Sequence, residues 1–89
     1  VLKKNPLLIR ARRDLADAML IKGDAQGAIP HYRILLSKYP DDAAVHNNIG
    51  HALVLTGNKH DGIMHFEKAL SIDPNYETAR KNLKTALGK

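Results

Sequence analysis

The sequence predicts an all-α protein, an α-solenoid of about five helices arranged as antiparallel pairs. Pro6, Pro40 and Pro74 recur every 34 residues, and Gly23 and Gly57 are also 34 residues apart. A fixed period of this length is typical of repeat proteins, in which each unit buries its apolar face against a neighbour. Within the repeating unit, apolar residues recur every three to four positions, which is the period of a helix.

Each repeating unit contains two helical stretches. Ala11, Leu15 and Ala18 follow the helical period in the first half of one unit, and Tyr32 and Leu35 continue it in the second half. The same pattern returns one interval later. The predicted helices cover residues 9–22, 25–38, 43–56, 59–72 and 76–87.

Glycines separate the two helices of each unit. Gly23 and Gly57 can adopt the left-handed conformation that ends a helix. The residues that follow them, Asp24 and Asn58, can cap the next helix with a side-chain oxygen. We therefore expect a tight turn at both positions.

Prolines separate one unit from the next. Pro40 and Pro74 cannot continue a helix, so the outgoing helix is expected to end before each of them. Asp42 and Asn75 follow shortly afterwards and are expected to cap the incoming helix.

Aligning residues 9–42 with residues 43–76 pairs positions that control helix packing. Small residues allow two helices to approach closely, and an aromatic ring can fill the space between them. Burying such a ring is worth about 1.5–3 kcal/mol. The aligned pairs are Leu15 with Ile49, Ala16 with Gly50, Met19 with Leu53, Ala28 with Gly62, Tyr32 with Phe66 and Leu35 with Ala69.

This pattern resembles the tetratricopeptide repeat, whose unit is an antiparallel helix pair of the same length as the interval between the prolines. The segments NNIGHALVLTGN and GIMHFEKALSIDPNY are similar to a nearly complete repeat, with Gly50, Phe66, Ala69 and Pro74 in its signature positions. The resemblance implies a right-handed solenoid with no cofactor.

The preceding unit, DLADAMLIKGDAQGAIPHYRILLSKYPDD, resembles the family less closely. Ala16 replaces the signature glycine, and Leu35 replaces the usual alanine. Pro30 falls just past the first turn of the second helix, where we expect it to remove one hydrogen bond and bend the start of that helix.

The resemblance extends over the whole chain as a single domain. Lys84 stands where Ala16 and Gly50 stand in the two units, which predicts a solvated outer face, as on a capping helix. We expect a fragment of a longer array that is marginally stable or self-associates, because about three repeats are usually needed for stability. The predicted parts are 1–8, a remnant of an upstream repeat; 9–42, the first repeat; 43–76, the second repeat; and 77–89, the capping helix.

The family resemblance implies a protein or peptide partner, bound in a concave groove formed by the first helix of each unit. Asn48 is the most informative position, because family members that hold an extended peptide often use an asparagine there to bind its backbone. Generic repeats also carry asparagine at this position. The groove residues implied by the resemblance are Arg10, Arg13, Asp17, Leu20, Asn47, Asn48, His51, Leu55, Thr78, Lys81, Asn82 and Thr85.

A carboxylate clamp is one family subtype, and it holds chaperone tails ending in EEVD. Arg13 and Asn48 fit its pattern, but Asp17 replaces an expected asparagine. Thr78 and Asn82 occupy positions where the clamp needs Lys and Arg. A clamp is therefore not expected, because the ligand would lack charged donors. Arg13 and Asp17 lie one helical turn apart, which predicts an ion pair within one helix.

The net charge of +5 predicts attraction of an acidic peptide. Nucleic acid is the competing ligand for a basic surface. Tyr32 and Phe66 are assigned to the core, which leaves Tyr39 and Tyr76 as the aromatic residues available for base stacking. We therefore expect no binding of nucleic acid.

Five histidines raise the question of a metal site, which their spacing argues against. His46 and His51 are five positions apart, as are His60 and His65. Two ligands on one helical face are expected three or four apart. His31 and His65 lie on adjacent units, too far apart to share an ion, so no metal is predicted. We expect His46 to pack at the start of its helix and His51 to contact ligand.

No catalytic constellation is evident in the sequence. The chain has no cysteine, no glycine-rich phosphate loop and no serine, histidine and carboxylate set. No apolar run approaches the roughly 18 residues of a membrane span. The sequence specifies no compartment, and the cytoplasm is the default expectation. The predicted function is a protein-interaction scaffold or adaptor; the alternative is an accessory, substrate-positioning arm of a larger enzyme such as a transferase.

Overall fold

A computed structural model describes residues 6–88 of the chain, with side chains from residue 8 onward. Its helices are α1 (Pro6–Ile21), α2 (Ala25–Lys38), α3 (Ala43–Leu55), α4 (Lys59–Ile72) and α5 (Glu77–Leu87). Each helix packs against the next one in the chain, and α3 also contacts α5. The described range contains no strand, so the predicted all-α solenoid of five helices is confirmed.

The helix α1 begins earlier than the predicted boundary at residue 9. Pro6 is its first residue. Proline is well tolerated at that position, because the N–H group it lacks would have no partner within the helix. Residues 1–5, the rest of the predicted upstream remnant, lie outside the described range.

The glycine turns within the two units are confirmed. Gly23 has a φ angle of 95° and Gly57 one of 90°. Residues other than glycine rarely adopt this left-handed backbone conformation, so the two glycines allow α1 and α3 to end where they do.

The predicted helix caps are half correct. Asp24 and Asp42 each accept a hydrogen bond from the backbone N–H three positions ahead, at 2.9 Å and 3.2 Å. Asn58 makes no cap bond to α4. Its amide instead donates to Oγ1 of Thr56 at 3.4 Å. Asn75 lies just before the N-cap position of α5, and that helix also has no side-chain cap.

Small residues let α3 and α4 cross at close range, as predicted. A Cβ atom on Gly50 would lie 2.7 Å from Cε1 of Phe66 and 2.9 Å from the backbone oxygen of Gly62. In the first unit, Ala16 and Ala28 take the equivalent positions and are fully buried. Close packing at both crossings therefore depends on the absence of a larger side chain.

The proline of the second helix does not end it. Pro30 lies inside α2, which continues to Lys38. The proline itself is exposed to solvent. One helical hydrogen bond is lost at this position, because proline has no N–H group.

The apolar row on α1 differs from its equivalent on α3. Ile49 is fully buried, whereas Leu15, its counterpart in the first unit, is 49% exposed. Ala11 and Ala18 on the same row are also accessible to solvent. The aligned position predicted packing for Leu15, which is wrong in this structure, because no described helix lies on that side of α1.

Candidate functional site

The predicted groove residues lie on α1, α3 and α5, the first helices of successive units. They differ widely in exposure. Asn47 is buried. The half-buried residues are Arg13, Asp17, Leu20, Asn48 and Asn82. The exposed residues are Arg10, His51, Leu55, Thr78, Lys81 and Thr85.

Four of these residues form a continuous chain of side-chain hydrogen bonds across the three helices, which we call the polar ladder. Asn48 donates to Oδ1 of Asp17 at 3.0 Å, which joins α3 to α1. Asn47 donates to Oδ1 of Asn48 at 3.3 Å. Asn82 donates to Oδ1 of Asn47 at 2.9 Å, which joins α5 to α3. The polar ladder therefore brings together residues as far apart in sequence as Asp17 and Asn82.

Tyr32 anchors the polar ladder to the core. Its ring is fully buried, and its hydroxyl donates to Oδ1 of Asp17 at 2.5 Å. Burial, together with the hydrogen bond and negative charge of Asp17, raises the pKa of Tyr32 well above its ordinary value. The tyrosine therefore stays protonated and remains a donor to Asp17.

Arg13 does not pair with Asp17, contrary to the predicted ion pair within α1. Its Nη1 lies 3.7 Å from Oδ2 of Asp42 instead. Asp17 Oδ1 already accepts hydrogen bonds from Tyr32 and Asn48. The pair with Asp42 is partly exposed, so it contributes little to stability.

A pocket of about 560 Å³ lies at one end of the gap between α1 and α3. Two arginines and three aspartates line it, so its charges nearly balance. The pocket therefore does not carry the local excess of positive charge that an acidic ligand would favour. Its lining residues are Ile9, Arg10, Arg13, Asp14, Asp17, Leu35, Tyr39, Asp42 and Val45.

A second pocket, of about 340 Å³, lies between α3, α4 and α5; we call it the α3–α5 pocket. No carboxylate lines it. Its charged or titratable members are a lysine and a histidine, and half of its lining is apolar. The lining residues are His51, Val54, Leu55, Lys59, Phe66, Asn82, Thr85 and Ala86.

The structure also contains a histidine pair that was not predicted. His46 is buried near the start of α3, as expected. Its Nε2 lies 2.7 Å from the carbonyl oxygen of Pro40, and its Nδ1 lies 3.0 Å from Nδ1 of His65. The two rings are stacked with centroids 5.2 Å apart. Burial, followed by the charges of His46 and Arg33, lowers the pKa of His65.

Repeat symmetry could have revealed the histidine pair. Arg12 and His31 occupy the equivalent positions in the first unit, and they are also in contact, with 3.1 Å between Nη1 and Nδ1. The prediction considered only histidines on one helix or on equivalent helices. It missed pairs that join the two helices of one unit at a shared separation in sequence.

Residues 6–88 contain no group of three or more histidine or carboxylate side chains placed to hold a metal ion. His46 and His65 are two nitrogen ligands without a third. No resident cofactor is implied by the side chains that line either pocket.

The fold defines a protein of the helical-repeat class, in which successive helices of the chain pack against one another. A family model described as tetratricopeptide repeat matches residues 1–43 and 13–77. The chain belongs to the tetratricopeptide repeat family. Membership of this family makes it a protein-interaction module.

Many solved structures are similar to this chain, among them two complexes of TPR domains. One is the complex of the TPR2AB domain of yeast Sti1 with pHSP90, at 27% identity and a TM-score of 0.84; the match covers 92% of this chain and 32% of that one. The other is the second TPR of Spaghetti (RPAP3) bound to the HSP90 peptide SRMEEVD, at 18% identity and a TM-score of 0.84; the match covers 90% of this chain and 74% of that one.

The two similarities carry different weight. The chain spans about a third of the length of the Sti1 structure. The similarity to Spaghetti shows the fold alone, because the sequence identity is low. No significant match exists among curated proteins.

Proposed function

We propose that this chain binds an extended peptide segment of a partner protein across α1, α3 and α5. The polar ladder is the observation that supports this function. A side-chain amide has two donor hydrogens and two acceptor lone pairs. Asn48 donates to Asp17 and accepts from Asn47, so its amide is held in place and one lone pair of its Oδ1 remains for a backbone N–H of a ligand. Groove binding of this kind needs donors and acceptors held in fixed positions, which the hydrogen bonds provide.

The similarity to yeast Sti1 supports a protein partner, because that structure is a complex with pHSP90. The comparisons do not favour the alternative function as an arm of a larger enzyme. We propose no catalytic activity for this chain. The clamp subtype is not proposed either, since Thr78 and Asn82 supply no positive charge and Arg13 is engaged by Asp42.

The charge distribution supports an acidic ligand at one end of the groove. The chain carries a net charge of +5. The pocket beside α1 is nearly balanced in charge, whereas the α3–α5 pocket has no carboxylate and α5 carries exposed Lys81 and Lys84. We therefore place the acidic part of the ligand near α5.

Two other ligand classes are not proposed. The described helices include none that is long and apolar enough to cross a bilayer. Stacking of successive bases would need several exposed aromatic rings in the groove, whereas Tyr32 and Phe66 belong to the core and Tyr39 is the single aromatic residue that lines the pocket beside α1. We propose binding neither to a membrane nor to nucleic acid.

Selection from a random peptide library displayed on phage tests the proposal. The wild-type chain should enrich a consensus, and a synthetic peptide of that consensus should bind at least about tenfold more weakly to Asn48→Ala, which loses about 1.4 kcal/mol. Asn75→Ala is the control, because Asn75 is an exposed asparagine outside the polar ladder. Failure to enrich any peptide, or equal binding by both folded variants, would contradict the proposal.

A further inference from the structure

His51 and Phe66, which line the α3–α5 pocket, differ in residue type from their equivalents one repeat earlier. One repeat earlier, Asp17 bridges the hydroxyl of Tyr32 in its own unit and the amide of Asn48 in the next unit. The residues one repeat later are His51, Phe66 and Asn82.

These three later residues cannot form the same bridge. Phe66 has no hydroxyl group to donate. Asn82 is bonded to Asn47 on α3 instead. His51 is exposed and makes no hydrogen bond to either Phe66 or Asn82. The bridge made by Asp17 therefore has no equivalent here, and all three side chains line the pocket between α3 and α5.

The floor and one wall of the α3–α5 pocket are apolar. Phe66 and Ala86 are almost fully buried at the floor. Leu55 stands at the wall and remains 57% exposed, a large apolar surface with no cover in this structure. An apolar side chain placed here would remove that surface from water, which favours binding.

The polar rim of the α3–α5 pocket is cationic. Lys59 and His51 line it, both are exposed, and no carboxylate is among the lining residues. Within the described range, Lys59 makes no ion pair. The equivalent positions in the first unit hold Ala25 and Asp17, so the charge at this place is reversed from one unit to the next. A ligand with a carboxylate would be attracted to this rim.

We propose that the α3–α5 pocket binds a C-terminal apolar residue of a peptide, with its side chain against Leu55 and Phe66 and its carboxylate beside Lys59 and His51. The site adjoins the polar ladder and shares Asn82 with it, and the rest of the ladder would hold the peptide backbone further along. This inference deepens the proposed function and rests on it for the identity of the ligand as a peptide. The pocket itself can be tested with a single amino-acid fragment.

NMR titration of the ¹⁵N-labelled chain with N-acetyl-L-leucine and with N-acetyl-L-leucinamide tests the pocket. The acid should shift the backbone amides of α3 near Leu55 and of α5 near Thr85, and should bind at least threefold more tightly than the amide. This preference should shrink as salt is raised, because the rim is exposed. Equal binding of acid and amide, or shifts located elsewhere, would overturn the proposal.

Repeat symmetry supplies matched variants. Lys59→Ala installs the residue of the first unit and should abolish the preference for the acid while leaving binding of the amide unchanged. Leu55→Ser should lose both fragments. Ile21→Ser is its control, because Ile21 is the equivalent exposed residue of the first unit and lies outside the pocket. Retained binding by Leu55→Ser, or loss in folded Ile21→Ser, would contradict the assignment.

The two proposals can fail separately. Asn48→Ala leaves the lining of the α3–α5 pocket intact, so it should still bind N-acetyl-L-leucine. Fragment binding without any enriched peptide would support the pocket and contradict the extended groove. An enriched peptide that binds equally well as its C-terminal amide, with no fragment binding, would support the groove and overturn the pocket.

Discussion

The hydroxyl of Tyr32 donates a 2.5 Å hydrogen bond to the carboxylate of Asp17, and this bond joins the buried core to the proposed binding surface. The same carboxylate oxygen accepts from Asn48 on the next unit. One aspartate therefore connects α2, α1 and α3. Loss of its tyrosine partner should affect both stability and ligand binding.

We expect Tyr32→Phe to lower the free energy of unfolding by about 1–2 kcal/mol, because it removes a hydrogen bond to a charged group without creating a cavity. Urea denaturation followed by circular dichroism measures the loss. Tyr76→Phe is the control, since its hydroxyl has no hydrogen-bond partner among the described residues. A loss no greater than the control's would show that the bond contributes nothing net.

The close crossing of α3 and α4 predicts a large effect of Gly50→Leu. A Cβ at this position would already be 2.7 Å from the Phe66 ring, so the larger side chain must force the helices apart. Ala11→Leu, on an exposed site of α1, is the control for adding a leucine. Thermal melts of Gly50→Leu that match the wild type would contradict the role assigned to this glycine.

The ring of Phe66 is expected to be as important as the glycine it contacts. Phe66→Ala should lower the free energy of unfolding by about 3–5 kcal/mol, the usual cost of deleting a buried ring. For a chain of this size the loss can exceed the total stability. If Phe66→Ala is unfolded, the milder Phe66→Leu should still melt below the wild type; an unchanged melt would refute the prediction.

The stacked pair of His46 and His65 predicts that stability falls in mild acid. The folded-state pKa of His65 is below its ordinary value, so the unfolded chain binds a proton more readily. The contribution is therefore complete above about pH 6.5 and is lost as the pH falls below that value. The charges facing the ring are His46, Arg33 and Asp61, of which Asp61 opposes the shift.

Melting temperatures measured from neutral to mildly acidic pH test this dependence. His65→Gln should flatten the decline, because the side chain no longer titrates. His60→Gln, an exposed histidine on the same helix, should leave the decline unchanged. An equal slope in the wild type and His65→Gln would show that another group causes it.

The missing clamp charges predict weak binding of SRMEEVD, the peptide in the Spaghetti structure. The family resemblance places Thr78 and Asn82 at positions where the clamp subtype has Lys and Arg. The double variant Thr78→Lys plus Asn82→Arg should therefore gain at least about tenfold in affinity, through charge-assisted hydrogen bonds to carboxylates. Calorimetric titration measures the gain. Glu77→Lys, at an exposed position outside the predicted groove residues, is the control for net charge, and an equal gain in that variant would contradict the prediction.

The exposed apolar row on α1 predicts self-association. Leu15 is 49% exposed although its counterpart Ile49 is fully buried. We expect the melting temperature of the wild type to rise with protein concentration. Leu15→Arg should remove this dependence, whereas Leu87→Arg, at a residue of 45% exposure on α5, should not. A wild-type chain that is monomeric with a concentration-independent melt would contradict the prediction.

Local signals predicted the helices well because their causes are local. The glycines Gly23 and Gly57 end helices through their own backbone conformation, and Asp24 and Asp42 cap through a bond to a backbone group within the next turn. Asn58 has the right chemistry for a cap, but a neighbouring hydroxyl engages its amide instead. Competition between partners of similar strength is not visible in a residue type.

The sequence by itself determined the repeat, its two-helix unit, the small residues at the crossings and the helices that carry the candidate site. It did so because the interval between repeats and the period of a helix are both spacings along the chain, which can be read directly from the sequence. Only the tertiary structure decided which polar side chains bind one another. Asp17 binds Tyr32 and Asn48 because the packing of α1 against α2 and α3 brings those two side chains within hydrogen-bond distance of its carboxylate. Arg13, on the same helix as Asp17, pairs with Asp42 instead. The same packing places His51, Phe66 and Asn82 around the α3–α5 pocket, where no bridge equivalent to that of Asp17 forms.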